Sequence, residues 1–277
     1  MDTFHRGDLV FDVRDAGSPD GEPVVLLHGF PQDSGAFDRL SPALHQAGLR
    51  TLAPDQRGYS PGARPAGRSD YRVRAAVDDV LALLDAAGLD SAHVLGHDWG
   101  GAAAWALAAW HPWRVRTLTV LSLPHPAAMA QAMVSSDQAL RSGYMGFFQL
   151  PGVPERVLLA GGGAVLRRTL RQGGLPDELV ERYVGRMQQP GALTGALNWY
   201  RAIPFAARDR VGTVRVPTLH MWGDRDTFLG RAAIEASAQF VAAPYRLEVL
   251  AGENHWLPEL AAERVAELLT AHVRAGG

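Results

Sequence analysis

Gly96-His97-Asp98-Trp99-Gly100 stands where an apolar run, residues 92–97, passes without a break into an Ala-rich stretch beginning at residue 100. A carboxylate flanked by glycines at a strand-to-helix junction is presented on a tight turn, where a neighbouring Cβ would clash. An aspartate there could simply cap the helix, but its company points to chemistry. Trp222-Gly223-Asp224-Arg225-Asp226 offers carboxylates at a later strand exit, and His255 follows in Gly252-Glu253-Asn254-His255-Trp256. The chain order nucleophile, acid, histidine is that of a hydrolytic triad built on such an elbow. Asp226 is the expected acid, with Asp224 as the second choice.

An aspartate nucleophile narrows the chemistry. Its carboxylate is already ionised at neutral pH. Attack on saturated carbon leaves an ester that water can cleave, whereas a serine would be left as an ether. Epoxides and alkyl halides are the substrates such a group selects, and ordinary esters are disfavoured. His28-Gly29-Phe30-Pro31 ends an earlier apolar run. Its turn is placed to offer the Phe30 amide, with the Trp99 amide, to the oxyanion formed when the ester is hydrolysed. His97, beside the nucleophile, is expected to point away from the pocket and takes no catalytic role.

These groups need a scaffold that brings strand exits together. Residues 8–14, 23–31, 49–55, 92–97, 115–123, 216–226 and 245–251 read as strands, several of them apolar throughout as in a sheet covered on both faces. Helices are expected over 34–47, 71–87, 100–109 and 257–274. The alternation implies an α/β fold with a mostly parallel sheet, whose ligands sit at the carboxyl ends of the strands. It breaks after Pro124. Residues 125–205 read as helical, with Gly161-Gly162-Gly163 as a flexible point, so 1–124 and 206–277 are expected as one core carrying 125–205 as an inserted lid.

Composition excludes several other classes. With 47% hydrophobic and 20% charged residues, the 277-residue chain has the balance of a soluble globular protein. A net charge of −2 without like-charge blocks argues against nucleic acid or an anionic membrane as partner. There is no cysteine, hence no disulfide or thiolate chemistry. No metal or organic cofactor is expected. The first residues lack a secretory apolar region and no run is long enough to span a bilayer, so a cytoplasmic location is expected. A homodimer through the lid is compatible with the sequence, which leaves oligomeric state open.

The chain resembles the soluble epoxide hydrolases of the α/β-hydrolase superfamily over essentially its whole length, through HGFP (28–31), DQRGYSPGARP (55–65), GHDWGG (96–101), YMGFFQLPG (144–152), LNWYR (197–201), WGDRD (222–226) and HW (255–256). The resemblance implies that Tyr144 and Tyr200 are the two lid tyrosines that bind the epoxide oxygen; Tyr183 is read as packing. Phenol donors suit that oxygen, which becomes a strongly basic alkoxide and stays on the product. Phe147, Phe148, Trp199 and Trp99 are the expected apolar walls for an apolar epoxide. Haloalkane dehalogenases share the elbow and remain the alternative, although they commonly carry Asn where Phe30 stands. Fluoroacetate-type dehalogenases keep Arg where Trp99 stands. A non-catalytic small-molecule receptor on this fold is the remote alternative. Three positions depart from the family pattern: Asn254 where Gly is frequent, Gly143 where a bulkier residue is common, and Ala261-Ala262 in place of a Pro-Glu pair. Asn254 is expected to tolerate a left-handed backbone there.

Overall fold

The apolar runs become the inner strands of one eight-stranded sheet: β1 (Thr3–Arg6), β2 (Leu9–Ala16), β3 (Glu22–Leu27), β4 (Leu49–Pro54), β5 (Ala92–His97), β6 (Val115–Leu121), β7 (Thr218–Gly223) and β8 (Tyr245–Leu250). Their order is β1-β2-β4-β3-β5-β6-β7-β8. β2 pairs antiparallel with β1 and β4, and every other pair is parallel. The structure, a computed structural model, describes residues 1–276; Gly277, the last residue of the expected core, lies outside them.

β1 is an addition to the expected strands. It is hairpinned to β2 with Arg6 opposite Leu9, and Gly7 takes φ 58° between them. Gly-Asp is a pair that allows such a two-residue loop, so Gly7-Asp8 carried a signal for β1.

The helices are α1 (Ser41–Gln46), α2 (Val73–Ala86), α3 (Trp99–Trp110), α4 (Pro126–Ser135), α5 (Gln138–Arg141), α6 (Tyr144–Phe148), α7 (Val153–Gln172), α8 (Asp177–Met187), α9 (Ala192–Arg201), α10 (Arg231–Ala236), α11 (Leu257–Leu260) and α12 (Ala262–Gly276). The helix expected over 34–47 is two pieces. A 3-10 turn, Ser34–Phe37, is capped by Asp33, and α1 restarts around Pro42, which fits a first helical turn but not a helix interior. The expected closing helix is likewise divided at Ala261.

Alternation along β3 shows why the sheet needs helices on both sides. Val24 and Leu26 pack with Leu44 of α1 and Val265, Leu268 and Leu269 of α12. Val25 and Leu27 point the other way, toward Val77 and Val80 of α2 and Trp105 of α3. All four are fully buried, and each such side chain contributes about 1.5–3 kcal/mol.

α4 to α9 lie between β6 and β7 in sequence and contain no strand. Leu158, Leu166, Leu170, Tyr183, Leu197 and Tyr200 from this insertion join the core on the α2–α3 side of the sheet. The glycine run breaks α7: Gly161, Gly162 and Gly163 take φ 58°, 68° and 93°. Three consecutive left-handed residues are open to glycine and costly to anything larger. Among the described residues no helix is long and apolar enough to cross a membrane.

Candidate active site

The exits of β3, β5, β7 and β8 supply the polar groups, and the insertion supplies the opposing wall. Asp98 follows β5 directly, with φ 50° and ψ −121°. Such a backbone costs roughly 1–3 kcal/mol and is held by close packing. A Cβ on Gly96 would lie 2.3 Å from the Gly100 carbonyl oxygen, and one on Gly100 would lie 2.2 Å from that of Leu27. Only hydrogen fits at either place. The Asp98 side chain makes no helix-capping bond to α3. It reaches sideways to the turn after β3, the neighbouring strand, where the Phe30 amide donates to Oδ1 at 2.9 Å.

His255 arrives from the loop after β8. Its Nδ1 lies 2.8 Å from Asp226 Oδ2, and its Nε2 lies 3.8 Å from Asp98 Oδ2. Asp226, fully buried, is fixed by the amides of Phe228 and Leu229 on its other oxygen, at 2.8 and 3.0 Å. Asp224 is turned elsewhere: its Oδ1 accepts from the Gly252 amide. Burial alone would favour a neutral His255, but Asp226, with Asp98 and Glu259 adding to it, pushes the imidazole up. Burial pushes the Asp98 carboxyl up as well, while His255 and the Phe30 and Trp99 amides draw it back.

Two residues outside the expected set meet the His255 main chain. His97 Nε2 lies 2.9 Å from the His255 main-chain oxygen, and Ser122 Oγ donates to the same oxygen at 3.1 Å. Ser122, just past β6, takes φ 53°; among the described residues it and Asp98 are the two non-glycine residues of positive φ, both at the site. His97 does point away from the cavity, as expected, and this contact is where it points. Asn254 corrects the expectation of a left-handed backbone. That conformation falls to Gly252, φ 82°, while Asn254 Oδ1 accepts from the Trp256 amide at 3.0 Å.

Asp98 and His255 open into a cavity of about 280 Å³ whose other walls include Phe30, Tyr144, Phe147, Phe148, Tyr200, Leu158 and Phe228. Tyr144 and Tyr200 stand edge to face, 6.0 Å between ring centres. Burial first and the Asp98 charge second push the Tyr144 phenol up; burial, Tyr144 and Asp98 do the same to Tyr200. Both therefore keep their protons at neutral pH. The remaining expected wall residues are placed differently. Trp199 is buried behind the site, its indole donating to the Arg57 carbonyl at 2.8 Å. Trp99 lies between Trp199 and Tyr200, tilted to the first at 5.7 Å and edge to face with the second at 5.0 Å, and does not line the cavity. Leu158 and Phe228 were not anticipated. Among the described residues no cluster of three or more His, Cys, Asp or Glu is arranged to hold a metal.

Comparison with known proteins places the fold. A family profile described as alpha/beta hydrolase fold matches residues 22–262, and the chain belongs to that family. Its relatives include the AB hydrolase superfamily protein YfhM of Bacillus subtilis, 38% identical over 80% of both chains. Epoxide hydrolase A of Mycobacterium tuberculosis is 32% identical over 94% of this chain and 91% of its own. Among solved structures, epoxide hydrolase A from Mycobacterium thermoresistibile superposes with a TM-score of 0.84 at 27% identity, covering 98% of this chain and 97% of that one.

Proposed function

We propose that this chain is an epoxide hydrolase that opens an apolar epoxide to a vicinal diol through an ester on Asp98. The observation that carries the reading is one apolar cavity lined by the Asp98 carboxylate and the Tyr144–Tyr200 pair. An epoxide needs both at once: a nucleophile at carbon and an acid at oxygen. A halide leaves as a weak base and needs no proton.

Asp98 Oδ1 is held by the Phe30 amide, so Oδ2 attacks. A carbon–oxygen bond of the ring breaks, and the freed alkoxide takes a proton from Tyr144 or Tyr200. The product of this step is an ester whose carbonyl oxygen, Oδ1, already sits on an oxyanion donor. His255, polarised by Asp226, takes a proton from water, which attacks the ester carbonyl. The Phe30 and Trp99 amides stabilise the tetrahedral oxyanion. Collapse frees the diol and the carboxylate, and the proton on His255 returns to the tyrosinate through solvent. In this reading residues 125–205 are the cap, 1–124 and 206–277 the catalytic core, and a small epoxide the partner.

The test is the intact mass of a His255→Gln variant exposed to mixed epoxides and, separately, to mixed haloalkanes. A gain equal to a whole epoxide, absent from the double variant that also carries Asp98→Ala, supports the reading. A gain of only an alkyl group, from the halides alone, makes the chain a dehalogenase.

A further inference from the structure

Behind His255 lies a buried carboxyl group that the reaction above does not use. Glu259, on α11, is fully buried in effect at 3% exposure. Its Oε1 accepts from Tyr183 of α8 and from Gln32 Nε2, both at 2.6 Å, while Oε2 has no partner among the described residues. Arg39, the cation beside it, donates to the Glu259 main-chain oxygen at 3.3 Å and not to the carboxylate. Burying a carboxyl without a cation costs several kcal/mol, and bland packing does not require one here.

The orientation of Gln32 is set by the main chain. The Gly29 amide needs an oxygen, so Gln32 Oε1 faces it at 3.0 Å and Nε2 faces Glu259. The same Oε1 lies 2.8 Å from His97 Nδ1, which must therefore carry a proton. His97 Nε2 then meets the His255 carbonyl oxygen at 2.9 Å. One chain of contacts thus runs from the insertion to the loop that carries the general base: Tyr183, Glu259, Gln32, His97, His255.

We propose that Glu259 is a positioning residue for the hydrolytic half of the reaction, acting on His255 through Gln32 and His97, and that Tyr183 couples it to the cap. The proposal rests on the epoxide hydrolase reading for its rate effects, but not for its effect on His255 itself. Both ring nitrogens of His97 face oxygens, so the contact to His255 becomes a hydrogen bond only when His97 takes a second proton. Burial opposes that proton, as does His255. His97 therefore stays neutral, and what Glu259 transmits is the position of its ring: Gln32 fixes His97, which packs against the His255 ring with 4.8 Å between centres. The groups facing Glu259 are Tyr183 from α8, Arg39 before α1, and His255 from its own loop. Burial lifts the Glu259 carboxyl to about 7, against the pull of Tyr183, Gln32 and His255. Its charge in turn helps raise His255.

Histidine-ring NMR titration of ligand-free wild type, Glu259→Gln and Tyr183→Phe, with His255 assigned by His255→Gln, reads the coupling without substrate. The His255 midpoint is expected to fall by about half to one pH unit in Glu259→Gln and by less in Tyr183→Phe. Single-turnover experiments with an epoxide then separate the half-reactions: ester hydrolysis slows on the order of tenfold while ester formation is unchanged. An unmoved His255 midpoint overturns the proposal. So does equal slowing of both half-reactions, which marks general loosening of the fold. If wild type forms no ester with any epoxide, the reading of function fails, and the NMR midpoint alone decides the role of Glu259.

Discussion

His255 Nε2 stands 3.8 Å from Asp98 Oδ2, beyond hydrogen-bonding distance, although both groups are fixed by bonds of 2.8–2.9 Å on their far sides. A serine nucleophile needs its base in contact, because the base must remove the hydroxyl proton. A carboxylate has no proton to give. The gap leaves the imidazole available to water, which fits a base that acts in the second step only. Replacing Asp226 by Asn should therefore spare ester formation and slow its hydrolysis, by about 10³–10⁴-fold. Rapid-quench mass spectrometry would show the ester accumulating. Equal loss in both steps would mean that His255 also assists the attack.

Tyr144→Phe and Tyr200→Phe should do the reverse. Each removes one donor to the leaving oxygen and should slow ester formation by about a hundredfold. Hydrolysis of ester already formed should stay near the wild-type rate. If either single variant keeps full rate, the other tyrosine is the sole acid.

The pH profile follows from environments on the two sides of the cavity. Asp226 holds the His255 midpoint above the ordinary 6.5 against the opposing effect of burial, so the base is lost as pH falls through that raised value. Asp98, pushed up by burial, loses its charge in the same direction. The tyrosines are pushed above 10 and stay protonated far into alkaline solution. Turnover between pH 5 and 10.5 should therefore fall only on the acid side, with its midpoint above 6.5. A fall beginning near pH 8 would contradict the assignment of the tyrosines as acids.

Glu259 predicts a stability effect of defined sign. Its carboxyl ionises near 7 when folded, against 4.5 when not. The unfolded chain gives up that proton first, so stability present at low pH is lost as pH rises from 4.5 to 7. Relative to Glu259→Gln, wild type should lose on the order of 3 kcal/mol across that window, since each tenfold change in proton affinity is worth about 1.4 kcal/mol. Urea denaturation of both proteins at pH 5 and pH 8 measures it; an equal change in both proteins would mean that Glu259 ionises in the folded chain as readily as in the unfolded one.

Gly100→Ala should be the most disruptive small change at the elbow, because the added methyl carbon meets the Leu27 carbonyl oxygen at 2.2 Å. A loss of about 3 kcal/mol or more is expected, with poor soluble yield. Gly146→Ala, in α6 with open space around it, is the control and should be neutral or slightly stabilising. Thermal melts of the two variants make the comparison.

How legible all this was in the sequence varied with how local the determinant is. The bounds of β5 and the elbow could be read directly, because an apolar run, flanking glycines and a helix former are adjacent in the chain. The split at Pro42 was also signalled and was overridden by apolar periodicity on either side of it. Trp199 shows the opposite case. It neighbours Tyr200 on α9, yet one ring faces the cavity and the other is bonded to Arg57, a choice set by how α9 docks on the turn after β4. Tyr183 looked like packing because its partner, Glu259, is seventy-six residues away. Nothing near either residue in sequence announces the pair.

β6 and β7 are hydrogen-bonded neighbours, with Leu118 opposite Thr218, although α4 to α9 intervene in the chain. The excursion thus leaves and rejoins the sheet through adjacent doors. Its length can change without moving any strand out of register, and Asp98, Asp226 and His255 all lie outside it. Replacing this segment would exchange most of the cavity lining while leaving Asp98, Asp226 and His255 in place. Selectivity in such a design can diverge quickly on an unchanged reaction.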